Sequence, residues 1–355
     1  SDLLTHPCCM ESEADAGERK GLRGVKPPPN GFFDVTFIGT GVSTGIPNLS
    51  HILNKNCKVC QDAHENATSR NRRNNVSILL RVAAAKGSER ANILVDVGKT
   101  MRVANMNVLP RLDVVNINTI FLTHGHADAI LGLDDVRDLQ QIREVRDSSG
   151  KQLGYRAVSG PLKVISNKAT ISTVKRAFPY LAKKQECVPG LKDVVLRRVA
   201  QLDFITVSDD AEISSDCGLR VKLFPVYHGG TYISLGFEFG RSGEFVYISD
   251  VSALPKSSMD YLRKVPKIKI LVVDCLQVKK HTTHFNYDEA VAFVNELQPK
   301  FAYFVGASCS LGDADEVQAR LDKLCKVDDE EGKKSGLNIK LAYDGYTIPT
   351  HMALS

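Results

Sequence analysis

The stretch Thr123-His124-Gly125-His126-Ala127-Asp128-Ala129 constrains this chain more than any other. It follows the apolar run Ile117 to Leu122 and precedes Leu131-Gly132-Leu133-Asp134-Asp135. An apolar run of that length reads as a strand, and one that ends in His-x-His-x-Asp delivers two imidazoles and a carboxylate to one tight loop. Groups so placed can converge on a metal ion. The fold must therefore bring further ligands to the end of this strand, from other strand ends or loops.

The rest of the chain supplies such ends. Phe33 to Ile38 alternates as a strand does and runs into the turn Gly39-Thr40-Gly41. Val76 to Val82, Asn92 to Asp96, Ser159 to Asn167, Leu219 to Val226, Ile268 to Val273, Phe301 to Val305 and Ile339 to Ala342 also read as strands. Ile233 to Phe239 and Glu244 to Ser249 read as a hairpin around Gly240-Arg241-Ser242-Gly243. Helical spacing is expected at 134–146, Ala169 to Leu181, Tyr287 to Leu297 and Asp315 to Cys325. Strands alternating with helices in both halves suit two packed sheets flanked by helices, an α/β chain.

Composition narrows the function classes. With 43% hydrophobic and 25% charged residues the chain has the balance of a soluble globular protein. No apolar run is long enough to span a bilayer, so no membrane role is expected. A net charge of +5 over 355 residues gives no strong nucleic-acid signal, and Arg70, Arg72 and Arg73 read as a solvated turn. Nine cysteines at irregular spacings argue for a reducing, cytoplasmic compartment and against a disulfide framework. Residues 1–31, rich in charge and ending in Pro27-Pro28-Pro29-Asn30-Gly31, read as a flexible extension that leaves room for a targeting role. Residues 32–355 read as one domain.

A second metal-ligand group precedes the first. Cys57-Lys58-Val59-Cys60 is a Cys-x2-Cys pair with His51 six residues upstream, in a polar, Asn-rich loop between strands. A closed tetrahedral site needs a fourth ligand, and Cys309 is the best candidate. The pair alone is equally compatible with redox chemistry.

These motifs resemble the metallo-β-lactamase superfamily, whose signature is His-x-His-x-Asp-His. The resemblance runs from residue 33 to 348 and implies an αββα sandwich of two mixed β-sheets flanked by helices. It implies that Asp96 buttresses the metal loop, that His124, His126, His228 and Asp250 surround a first metal, and that Asp128 belongs to the same catalytic metal site. The family's second-metal histidines fall at Ala129 and Gly306 here. Two ligands missing from one site imply a single catalytic divalent metal, zinc or manganese, with Asp128 released either to act as general base or to help a weak second ion bind.

The subgroup most similar is the phosphoribosyl cyclic phosphodiesterases of phosphonate breakdown. Phe178-Pro179-Tyr180, Leu131 to Arg137 and Tyr343-Asp344-Gly345-Tyr346 resemble it. That subgroup carries an inserted zinc loop, here 47–75, built on Cys-x-Cys-x2-Cys and a distant histidine. Lys55 replaces the first of those cysteines and Cys309 stands where the distant histidine belongs, so the implied structural zinc set is His51, Cys57, Cys60 and Cys309. His284 aligns with the histidine proposed there as general acid, with His281 beside it.

The expectation is a metal-dependent hydrolase of a small cyclic nucleotide or sugar phosphodiester. A tRNase Z-like or thioester hydrolase and a degenerate nucleotide-binding module stay open. So does a homodimer, with the zinc loop near its interface.

Overall fold

The computed structural model describes residues 33–83, 90–183, 186–326 and 337–348. The expected extension over residues 1–31 lies outside the described residues.

Strands whose residues are apolar on both faces must be covered on both faces, and this dictates the layers. Ser77–Val82 and Ile270–Asp274 are buried at every position. The first belongs to a sheet built from β1 (Phe33–Gly39), β2 (Ser77–Val82), β3 (Ala91–Val95), β4 (Thr119–Phe121), β7 (Leu162–Asn167), β8 (Leu202–Val207) and β16 (Thr347–Ile348). Its spatial order is β16-β1-β2-β3-β4-β7-β8, with the first three pairings antiparallel and the last three parallel.

The second sheet mirrors it. β9 (Glu212–Ser214), β10 (Arg220–Tyr227), β11 (Ile233–Phe239) and β12 (Phe245–Ile248) pair antiparallel. β13 (Ile270–Asp274), β14 (Phe301–Val305) and β15 (Ile339–Leu341) continue the sheet in parallel. Phe37, Ile78, Val95 and Phe121 of one sheet and Leu223, Phe237, Tyr247 and Tyr303 of the other share one core between them. Aromatic edges lock it, as where Phe121 meets Phe237 at 5.6 Å and 62°.

Helices cover the two outer faces. α3 (Met101–Val108), α5 (Lys168–Ala177) and α6 (Pro179–Ala182) share a core with Leu79, Leu94 and Ile120. α7 (Lys256–Lys264), α8 (Tyr287–Leu297) and α9 (Ala314–Leu324) share another with Val246, Leu271 and Phe304. The layers are α, β, β, α, as the resemblance implied.

Three expectations need correction. No helix forms over 134–146: a 3-10 turn at Asp135–Leu139 gives way to strand β5 (Ile142–Arg146), which pairs with β6 (Gln152–Ala157). Gln141, at φ +48°, breaks the helical path between them. The Cys-x2-Cys segment is not a bare loop, because it carries α1 (Leu49–Asn54) and α2 (Lys58–Glu65). Finally, only Arg70 of the arginine cluster is exposed: Arg72 donates to Ala63 O, and Arg73 is buried and bonded to Thr40 Oγ1 and Ala342 O.

Candidate metal centre

The chain makes the centre by ending strands of both sheets at one edge of the sandwich. After β3, Asp96 takes φ +61°, a conformation aspartate tolerates better than most side chains. This turns its carboxylate back to accept from Thr123 N and Thr123 Oγ1, each at 2.8 Å. The Thr123 hydroxyl in turn lies 2.8 Å from His124 Nδ1. With that hydroxyl spent on Asp96, Nδ1 carries the proton toward it and Nε2 is left as a lone pair. Gly98 is needed here because a Cβ would sit 1.9 Å from Asp128 O, on the metal loop itself.

The other imidazoles are oriented in the same manner. His228, just past β10, donates Nδ1–H to Thr283 O at 2.8 Å, which aims Nε2 at His126 Nδ1, 3.1 Å away. His126 is braced on its open side by Tyr232, whose ring stacks on it at 4.7 Å and 8°. The Tyr232 hydroxyl accepts from Gly125 N at 3.2 Å, fastening that lid to the metal loop.

His124, His126 and His228 converge as one group of ligand atoms, and His228, Asp250 and His284 as a second that shares His228. His124 Nε2 is buried and has no hydrogen-bond partner among the described residues. A buried lone pair facing two other imidazole nitrogens is costly unless an ion takes it up. In a tetrahedral zinc site with Zn–N near 2.05 Å, neighbouring nitrogens stand about 3.3 Å apart. The 3.1 Å between His126 and His228 is close to that edge. Three imidazoles beside a carboxylate fit a divalent ion with an open position. Burial also pushes the His124 pKa down to about 3, so it stands neutral and ready to ligate.

Asp250 and Asp128 take different places. Asp250 lies 4.0 Å from His228 Nε2; the facing imidazoles outweigh its burial and hold its carboxyl low. Asp128 lines the same pocket without joining either ligand group. Burial and the neighbouring Asp250 charge raise its pKa.

Two participants, Asp274 and Tyr232, were missing from the sequence reading. Asp274, the last residue of β13, is fully buried and bonds His284 Nδ1 at 2.7 Å. Burial alone would lower the His284 pKa, but Asp274 outweighs it by charge and hydrogen bond and lifts it to about 9. Asp274 itself is pushed up to about 6 by burial. The sequence carries a faint signal for it: a buried apolar strand that closes on an acid. Tyr232 has no comparable signal. His281 stays at the exposed rim, where Thr283 Oγ1 lies 3.1 Å from its Nδ1.

Ala129 and Gly306 both line this pocket. Gly306 has φ +73°, and a Cβ there would lie 2.3 Å from Asp274 Oδ1. The space beside Gly306 is thus held by the Asp274 carboxylate.

At the second cluster His51 Nδ1 stands 3.4 Å from Cys60 Sγ and 3.3 Å from Cys309 Sγ, with Cys57 completing the group. Zn–S of 2.3 Å and Zn–N of 2.05 Å give a tetrahedral N···S edge of about 3.5 Å, so the donor set fits a closed zinc site. Cys57 caps the start of α2, but α2 follows a helix, not the strand of a thioredoxin-like motif.

Two mixed sheets lie between helical layers, with three imidazoles and two carboxylates gathered at one edge. Residues 91–306 match the family model described as beta-lactamase superfamily domain, more than half of the chain, and the chain belongs to that superfamily. Among solved structures it is similar to a diphosphatase from the PhnP family, at 25% identity and TM-score 0.64, over 89% of this chain and 96% of that one. It shares its fold with zinc-bound PqqB from Methylobacterium extorquens, at 15% identity and TM-score 0.59, over 89% and 99% of the two chains. It also shares the fold of the short form of human tRNase Z, at 17% identity and TM-score 0.52, over 89% and 99%. A curated relative, an octanoyltransferase from Porphyromonas gingivalis, is 23% identical over 73% of this chain, which spans only 43% of that protein.

Proposed function

We propose that this chain hydrolyses a small phosphodiester, a cyclic nucleotide or sugar phosphate, at a single catalytic divalent metal, zinc or manganese. The observation that carries the reading is the Asp274–His284 pair, which shares one pocket with Asp128 and with His124 of the three-imidazole cluster. An acid and a base thus line the same pocket as the metal ligands. The likeness to a PhnP-family diphosphatase supports a phosphorus-centred substrate.

His124, His126 and His228, with Asp250 beside them, would hold a divalent ion, which would supply Lewis acidity toward a phosphoryl oxygen and a more acidic water at neutral pH. The residues handle the protons. Asp128 accepts one from the attacking water, and its raised pKa makes it a stronger base than a solvent-exposed carboxylate. His284, held by Asp274 through Nδ1, presents Nε2–H to the departing oxygen. Tyr232 keeps His126 in place from the solvent side. His51, Cys57, Cys60 and Cys309 hold a separate structural zinc, which requires the thiols to stay reduced and agrees with a cytoplasmic setting.

A thioester hydrolase is the second reading, favoured by the octanoyltransferase likeness, since that protein's name denotes acyl transfer. The deciding experiment is turnover by the zinc- or manganese-loaded chain on a 2′,3′-cyclic nucleotide, a ribose cyclic phosphate, octanoyl thioester and precursor tRNA. Turnover of a cyclic phosphodiester that Asp128→Asn abolishes supports the reading. Turnover of the thioester or tRNA alone overturns it.

A further inference from the structure

A cavity of about 390 Å³ opens away from the metal centre, where edge strand β15 meets the segment leading into edge strand β16. Arg70, Arg73, Lys340, Tyr303, Tyr343 and Tyr346 line it. That volume falls in the range of small-molecule sites.

Arg73 is the unusual member. It is only 4% exposed. Its Nη1 is spent on Thr40 Oγ1 at 2.8 Å and Ala342 O at 2.6 Å. Its Nε and Nη2 donate to nothing among the described residues, and no described carboxylate lies within 4 Å of it. The nearest acid, Asp344, spends its oxygens on Thr40 Oγ1, Asn74 N and Asn74 Nδ2. A buried guanidinium without a directly paired anion is expensive, and an anion seated against its free fork would offset that cost.

The neighbours have the same bias. Lys340 makes no ion pair among the described residues. Arg70 lies over the Tyr343 ring at 4.8 Å and reaches Asp315 only at 3.6 Å, on the outside. The buried Tyr303 lies beside Tyr346, whose ring centroid is 5.9 Å away and whose hydroxyl interacts with its own. The one acid on the rim, Asp322, is engaged by Gln318 Nε2 at 2.8 Å. Three cations thus border a space lined by a single carboxylate, Asp322, so the positive charge is in excess there.

We propose that this cavity is a second ligand site, separate from the metal centre, that takes a small molecule bearing an oxyanion. Its headgroup, phosphate or carboxylate, would sit on the Arg73 fork between Arg70 and Lys340. The site is coupled by contact to the catalytic pocket. Arg73 holds Thr40, and its Cβ packs where a side chain on Gly41 would stand, 2.5 Å from a Cβ built there; Gly41 and Val42 line the metal pocket.

Calorimetric titration of the zinc-loaded full chain tests this, with inorganic phosphate and citrate as separate probes. A saturable site is expected that Arg70→Ala and Lys340→Ala each weaken about five-fold or more. Both side chains lie on the rim and neither is buried, so the variants should keep the parent's unfolding curve. The metal centre is a rival anion site, so His124→Ala must leave this binding in place. Saturation by phosphate alone identifies a phosphorylated ligand, and by citrate alone a carboxylate. Absence of saturable binding by both probes overturns the proposal. So does binding that His124→Ala removes while Arg70→Ala and Lys340→Ala leave it unchanged.

Discussion

Asp128 and His284 both line the metal pocket, and their substitutions should separate from those of the ligands. Asp128→Asn and His284→Ala are expected to lower kcat by about 10²–10⁴-fold, the range for loss of a general acid or base. Metal content should stay at the parent value in both, which elemental analysis checks. The charge on His284 gives a pH signature. Its folded pKa of about 9 lies above its ordinary 6.5, so the stability it brings is complete below 6.5 and lost as pH rises through about 9. NMR titration of the metal-free chain should show that elevated value, and Asp274→Asn should bring it down. Loading with metal should lower it too, because the ion's charge opposes the imidazolium. Gly306 gives a third test at this scale. Gly306→Ala forces a side chain into a left-handed conformation and against Asp274 Oδ1, so a loss of about 1–3 kcal/mol is expected. Urea unfolding measures it; parent-like stability would mean the space is not filled as described.

At the scale of elements, the knuckle built from α1 and α2 is the least self-sufficient part of the molecule. α1 buries no residue, and the knuckle's own core is Ile46, Cys60 and Ala63. So small a core holds two short helices weakly, and the proposed structural zinc would add what packing does not. Cys309→Ala should release one metal and open residues 48–66 to limited proteolysis, with the sandwich itself still folded. Most of the buried strands were legible in the sequence, and so were the candidate ligands at their ends, because apolar runs ended at His124, His228 and Asp250; β5, β6, β8, β9 and β16 were not read. The knuckle helices were not, since six and eight residues give too little periodicity to read. The 134–146 segment misled for a related reason: Val136, Leu139 and Ile142 fit a helical period, yet Ile142 belongs to a strand whose partner β6 went unread. Asp274 and Tyr232 acquire their roles only when β13 lies beside β12 and a turn through Gly229 and Gly230 folds the ring over His126. Neither adjacency is written in local spacing.

Over the whole molecule, two seven-stranded sheets share one buried layer and bring their strand ends to one edge. This is why ligands from residues 124 to 284 meet although they are far apart in sequence. The same arrangement bears on the proposal of a mononuclear centre. Ala129 stands in place of a ligand and Asp274 occupies the space beside Gly306, while the edge gathers His124, His126 and His228, with Asp250 and His284 sharing His228, and a remote group gathers His51, Cys57, Cys60 and Cys309. Element-resolved metal content per chain, on the parent, His124→Ala and Cys309→Ala, tests that account most directly. Two equivalents in the parent, falling to one in each variant, is the result it predicts. Three equivalents in the parent, or a content that His124→Ala leaves unchanged, would contradict it.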